Sequence, residues 1–334
     1  MIRKAETQKL REERFIDKVV EMHYKQGLSQ QEIAELLDVS RATISRALTK
    51  AKKEGYVEIR INNLDSSRIS IEEDLEKKFN LKEAVVASNR KDEDIGDTIA
   101  FYATDYLLRV IKNHMTVAMS RGVTLQKMVT SLEKDVRRRF LRLKDVNVVP
   151  LEGATNVLTT VKKEYRLAYS NYMTEETARL LNGKGYEILA PQFVSSAEVR
   201  NIFVQEKSVK DVLQMAASAD IAFVGIGTTH MSKEIVNSIF QDGISTKNYY
   251  RHMEEKGGIG EIIGHVIDEN GNMIDNSIEE NLICLELEKF KKIPIRVGVA
   301  YGMEKADAIL STLRGGYVNV LITDEEVAEF LRKS

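Results

Sequence analysis

The chain has 334 residues, a formal net charge of −2, one cysteine and five histidines. That length suits two domains that each bury a core, and the near-neutral balance means that any affinity for nucleic acid has to come from a local patch. One cysteine excludes an internal disulfide framework, HExxH and CxxC spacings are absent, and no apolar run approaches the roughly 18 residues that span a bilayer. No metal, cofactor or membrane partner is expected, and with no secretory start the protein reads as cytoplasmic.

Charge is uneven along the chain. Residues 1–61 hold 13 Lys/Arg against 10 Asp/Glu, a net of +3, which leaves −5 for the remainder. Residues 5–25 place Phe15, Val19 and Met22 at helical spacing, and Gly27 supplies the stop. Ser29 with Glu32 three residues on forms a capping box, which predicts a short helix from Gln30 to Leu37 with Ile33, Ala34 and Leu37 on one face. "DVS" is a tight turn, and Ser40 caps a third helix from Arg41 to about Lys53. On that helix Ile44, Ala47, Leu48 and Ala51 form an apolar stripe. Opposite lies a basic stripe, and Ser40 to Lys53 contains no acid at all.

Two helices joined by a short turn, the second one basic, make a helix-turn-helix, and "GYVEIRI" after it alternates as the strand of a wing. An ordinary helical hairpin with a solvated charged face is the competing reading, but the box, the small Ala34, the turn and the acid-free stripe coincide in one short window. Arg41 and Arg46 are the expected base or phosphate contacts, with Thr43 and Ser45 beside them and Lys50 on phosphate. The expected organisation is a winged helix-turn-helix over 1–62, a linker helix over 63–82 with its helical pattern from Ile69 to Phe79, and an effector domain over 83–334.

From Glu83 onward β-branched runs alternate with helical patterns. Strands are expected at 84–88, 116–120, 146–151, 186–190, 221–226, 293–300 and 318–323. Helices are expected at 95–111, 123–133, 173–182, 208–218, 232–240 and 303–314. This order predicts a doubly wound α/β sheet of parallel strands, whose ligands bind beyond the carboxyl ends of the strands. "SRGVT", "EGATN" and "GIGTTH" are loops of that kind. Their small residues let backbone amides approach an anion at helix N-termini, and their Thr hydroxyls add donors. Neither GxGxxG nor GxxxxGK[ST] is met, so a phosphorylated small molecule is preferred to a nucleotide. Lys305 falls near a helix start, where a cation opposes the dipole unless an anion is close. "ENG" in "IIGHVIDENGNMID" predicts a hairpin with Asp268 at its edge. The calcium-loop spacing there fails because Met273 stands where glycine is required.

The helix-turn-helix together with "DIAFVGIGTTH", "GGIGEIIGHVIDENGNMI" and "IPIRVGVAYGMEKADAILSTLRGGYVNVLITDEEVAEFL" resembles the SorC family of bacterial sugar-responsive transcription regulators over nearly the whole chain. The resemblance implies a sugar-phosphate isomerase and CoA-transferase-like effector domain that binds a phosphorylated sugar or polyol without turnover. It also implies homo-oligomers, dimeric or tetrameric, on palindromic operator DNA. Carried over residue by residue, it assigns Gly225, Gly227 and Thr228 to a phosphate loop, and Asp268 and Lys305 to the sugar's oxygens. "SRGVT" supplies Arg121, Gly122 and Thr124, with Arg121 in place of an aromatic residue and suited to a bidentate phosphate contact. "EGATN" supplies Gly153 and Thr155. The implied protein is a DNA-binding regulator of a carbohydrate-metabolism operon, with no catalytic residues. The alternative is an active isomerase or aldolase-like enzyme fused to a DNA reader, using Lys305 as Schiff base or Asp268 as base, with Glu261 as a second carboxylate.

Overall fold

The computed structural model describes residues 12–57, 66–88, 94–154, 169–229, 251–274 and 279–334. The chain divides into two compact units, Met1–Leu64 and Asp65–Ser334. Among the described residues no helix is long and apolar enough to cross a membrane.

In the first unit, helix α1 covers 12–20 and runs into a π-turn at Glu21–Lys25, followed by α2 (Gln30–Leu36) and α3 (Arg41–Lys53). Gly27 lies at φ +71, where glycine costs nothing, and the Leu28 amide returns to the Met22 carbonyl. The capping box forms in full: the Ser29 side chain accepts from the Glu32 amide while the Glu32 carboxylate accepts from the Ser29 amide. Ser40 caps α3 by accepting from the Thr43 amide. Ile16, Val19, Ile33, Ile44, Leu48 and Ala51 fill the core between the three helices. Ile16 and Val19 are the buried members of the first helix, and Phe15 is only partly buried. Of the expected wing strand, "GYVEIRI" at 55–61, residues 55–57 form no strand and 58–61 lie outside the described residues.

The second unit is built on a seven-stranded sheet, every pairing parallel. Its strands in chain order are β1 (Glu83–Ala87), β2 (Thr116–Met119), β3 (Asn147–Pro150), β4 (Lys184–Gly185), β5 (Ile221–Gly225), β9 (Ile295–Val299) and β10 (Val320–Asp324). Across the sheet they lie in the order β1-β10-β9-β5-β2-β3-β4. A three-stranded antiparallel sheet joins β6 (Gly227–Thr228), β7 (Gly260–Ile262) and β8 (His265–Ile267). Successive residues of β5 point to opposite faces, so Ile221 and Phe223 enter one core and Ala222 and Val224 the other, all of them fully buried.

Helices α5 (Ile95–Val110), α6 (Val123–Lys134) and α7 (Ser170–Leu180) cover the first of these faces. The second face is covered by α4 (Ser66–Phe79), α9 (Lys207–Ala217), α10 (Ala306–Arg314) and α11 (Glu325–Lys333), with α8 (Ala197–Gln205) preceding α9. The segment expected to link the halves therefore docks into the second unit. Ile71 and Leu75 of α4 are buried, and Glu72 and Glu76 accept from the amides of Val86 and Ala84 in β1.

Two local expectations shift. The strand expected at 186–190 is only Lys184–Gly185, because the Asn171 side chain takes over as partner for the backbone N–H and carbonyl of Ile188. The turn at Asn270–Gly271 does reverse the chain, but only as far as one bridge between Ile267 and Met273. The laddered hairpin β7–β8 turns earlier, at Ile263–Gly264, both at positive φ. The helix expected at 232–240 lies outside the described residues.

Candidate effector site and DNA-reading helix

In the sheet order, the chain leaves β2 toward β3 on one side and leaves β5 toward β9 on the other, although β2 and β5 are paired neighbours. Their carboxyl ends diverge there, which opens the crevice that parallel sheets use for ligands. The loops at that point are Ser120–Gly122 and Gly225–Thr228. The Ser120 hydroxyl accepts from the Gly225 amide at 3.2 Å and so ties the two loops together. A β-carbon on Gly225 would rest 3.5 Å from the Arg121 carbonyl, and one on Gly227 would meet the Glu261 carboxylate at 2.9 Å. A side chain at 227 would therefore press on the Glu261 carboxylate, which lies over it. The turn Met303–Lys305 that precedes α10 packs beside β6.

Arg121 sits at the centre, its side chain only 16% exposed. Glu152, fully buried, accepts from the Arg121 amide at 2.7 Å and from Nε at 3.3 Å, and the Gln192 side chain donates to it at 2.6 Å. The same guanidinium donates through Nη2 to Glu261 at 3.2 Å, and the Gly264 amide donates to Glu261 at 2.6 Å. Burial pushes the Glu152 carboxyl above the ordinary carboxylate range, against the pull of Arg121 and with the push of Glu261. Burial also lowers the Lys305 ammonium, while Glu304 and Glu261 act in the opposite sense. Two cations and two carboxylates from the loops after β2 and β3, from β7 and from the 303–305 turn therefore share one small region.

The expected site residues divide. Arg121, Gly227 and Lys305 come together around Glu261, with Gly225 against the Arg121 carbonyl and Thr228 next to Gly227 in β6. Gly122, at φ +134, starts α6 without a side-chain cap, and Thr124 is buried in the first turn of that helix. The hydroxyls of Thr228 and Thr229 donate to the carbonyls of Ile259 and Gly258, so they brace the β7 entrance. At Gly153 the backbone passes close to its neighbour: a β-carbon would lie 2.7 Å from the Pro191 carbonyl. Thr155 lies outside the described residues.

Asp268 is held by its own turn, accepting from the amides of Asn270 and Asn272 and from the Asn272 side chain. Burial works against its charge, yet these hydrogen bonds keep its carboxyl below the ordinary value. Its carbonyl accepts from Ser311, about 9 Å of helical rise beyond Lys305. The carboxylate that faces the cluster is Glu261. Arg121 in turn is already engaged by two acids instead of being open for a bidentate phosphate. Glu152 and Gln192 were not singled out from the sequence. The available signal was an acid placed directly after the apolar run of β3, where a parallel strand ends in buried surroundings.

On α3, Arg41, Ser45 and Arg46 are exposed and Thr43 is partly so. Thr43 also completes the cap through a 2.9 Å contact between its hydroxyl and that of Ser40. Lys50 is ion-paired with Glu12 of α1 and lies 3.8 Å from Glu54; the hydrogen bond to Glu12 raises its ammonium above the ordinary lysine value. Its charge is therefore partly spent inside the unit.

Comparisons with known proteins follow this division. Residues 66–332 match the sugar-binding domain family (Sugar-bind), and residues 17–54 match sigma-70 region 4, a helix-turn-helix. Over 324 residues the chain is 29% identical to the transcriptional regulator LsrR of Escherichia coli strain K12, covering 97% of this chain and 96% of that protein. Over 320 residues it is 30% identical to LsrR of Enterobacter sp. strain 638, covering 96% and 93%. The full-length sorbitol operon regulator SorC from Klebsiella pneumoniae has the same fold, with a TM-score of 0.69 and 26% identity over 96% of this chain and 98% of that one. With a sugar-binding unit on a switch-point sheet and a helix-turn-helix before it, the chain belongs to the SorC family of sugar-responsive, DNA-binding transcriptional regulators.

Proposed function

We propose that this regulator controls a carbohydrate-metabolism operon in the cytoplasm by binding a phosphorylated sugar or polyol at the rim around Lys305 and Glu261, and that it does so without turnover. The carrying observation is that the loop after β2, the Gly225–Thr228 loop and Lys305 meet at the β2/β5 switch point beside Glu261. Lys305 and Glu261 suit hydroxyl or carbonyl oxygens, and the amides at the uncapped start of α6 suit a phosphoryl group. Asp268 contributes by shaping its turn. The Klebsiella neighbour is a sorbitol operon regulator, which brings hexitol phosphates into the candidate set. DNA contacts come from Arg41, Thr43, Ser45 and Arg46, with Lys50 a weaker phosphate contact. A symmetric oligomer, dimer or tetramer, on a palindromic operator follows from two-fold placement of the reading helices. The effector acts by differential binding to two arrangements of the protein.

A melting screen with hexose, pentose and hexitol phosphates tests the reading. An effector at 100 times its Kd adds about 2.7 kcal/mol of stability, and the same compound has to change operator affinity. A compound that binds without altering operator affinity sinks the regulatory part. The lowered ammonium of Lys305 beside Glu261 favours one second reading, turnover through a Schiff base. Borohydride trapping of a sugar phosphate on Lys305, abolished in Lys305→Ala, would establish it.

A further inference from the structure

The Arg121 guanidinium spans from a fully buried acid, Glu152, to Glu261 on β7, and the backbone amide of Arg121 also donates to Glu152. Glu152 is in turn held by Gln192. Arg121 is thereby fixed at its root and along its length, and its far end presents Nη2 to both oxygens of Glu261 at 3.2 and 3.3 Å. A phosphoryl dianion brought to this guanidinium would have to enter between two carboxylates and displace one of them. Like charges at such separations repel strongly in a site this poorly hydrated. The Glu261 carboxylate, by contrast, is held by Arg121 on one side and the Gly264 amide on another, over the bare backbone of Gly227 and within the field of Lys305.

We infer that Arg121 is a positioning residue that sets the Glu261 carboxylate for the hydroxyl-bearing end of the effector, and that it takes no part in binding the phosphoryl group. The inference rests on the effector site proposed above. It makes selectivity for the carbon chain a property of the Glu152–Arg121–Glu261 relay, and leaves the phosphoryl group to backbone amides elsewhere on the rim.

The test replaces Arg121→Met together with Glu152→Gln, which removes one cation and one anion and leaves the net charge around Lys305 unchanged. Titration calorimetry on the full chain uses the tightest-binding sugar or hexitol phosphate of the panel, and inorganic phosphate as its competitor. The sugar phosphate Kd is expected to rise about tenfold, the scale of a lost charge-assisted hydrogen bond. The competition constant of inorganic phosphate should stay within about twofold. Glu261→Gln alone should match the loss, and adding it to the double variant should cost nothing more, because Arg121 acts through Glu261. A parallel loss of inorganic phosphate, full additivity with Glu261→Gln, or an unchanged sugar phosphate Kd each overturns the inference. If the double variant fails to fold, Arg121→Lys keeps a charge on Glu152 but cannot bridge to Glu261, and the same pair of readouts applies. Wild-type protein that binds no member of the panel overturns the proposed effector site itself, and this assignment with it.

Discussion

The two units place their charges in opposite ways. Among its described residues the helix-turn-helix buries only apolar side chains, and it carries Arg41, Ser45 and Arg46 in water on one helix face. The larger unit gathers Arg121, Glu152, Glu261 and Lys305 at the sheet rim, where each is wholly or largely removed from water. A surface charge can be lost without harming the fold, whereas a buried one is part of the fold. Function and stability are therefore separable in the first unit and entangled in the second.

Glu152→Ala is the strongest challenge to that contrast. It takes the buried acceptor from the Arg121 amide and Nε while Nη2 keeps Glu261, and should lower the stability of the larger unit by about 3–5 kcal/mol, measured by urea denaturation followed by circular dichroism, since the chain has no tryptophan. A loss below about 1 kcal/mol would mean that the buried pair contributes no more than a surface one.

Arg46→Ala and Arg41→Ala should each weaken operator binding by about 1–3 kcal/mol while leaving stability within about 0.5 kcal/mol, as read by anisotropy titration alongside melting. Lys50→Ala should cost less binding than either, because Glu12 already holds its ammonium. An equal loss at all three positions would show that the ion pair opens on DNA.

Ser29→Ala removes one half of the capping box and should destabilise the helix-turn-helix by about 1 kcal/mol, with effector binding untouched.

The smallest effect concerns pH, and its sign differs between Glu152 in the larger unit and Glu32 in the first. The folded pKa of Glu152 is raised above its ordinary 4.5, so just above pH 4.5 the folded state keeps a proton that the unfolded chain has released. The contribution of Glu152 to stability should therefore fall as pH rises through that window, and Glu152→Gln should remove that contribution from the slope of the larger unit. The Glu32 carboxyl is lowered by its Ser29 hydrogen bonds, so its contribution is present above pH 4.5 and lost as pH falls through its folded pKa. Calorimetry across pH 3 to 6 in which Glu152→Gln and Glu32→Gln shifted the slope in the same direction would contradict this.

Much of the architecture was legible in the sequence. The third helix begins and ends where the cap and the apolar stripe place it, and six of the seven expected strands lie within two or three residues of their expected bounds. Those signals are local: a cap acts over three residues, and a fully buried strand is a short apolar run. The strand at 186–190 was misplaced because a side chain on α7 decides where its ladder ends. Asp268 illustrates the same limit in the site. Its sequence context marks a turn acid, and it behaves as one, so the acid facing Lys305 had to come from elsewhere on the hairpin. The role of Arg121 was invisible for a related reason, because its partners lie 31 and 140 residues away.

By itself the sequence determined the helix-turn-helix, the alternation of strands and helices, and the glycine loops at strand ends, since each is encoded within a few residues by periodicity, capping and backbone freedom. Only the tertiary structure decided that β2 and β5 become neighbours, that Glu152 and Glu261 meet on one guanidinium, and that Lys305 shares their field. Electrostatics in a poorly hydrated rim depends on distances between remote segments, and those distances exist only once both faces of the sheet have been packed.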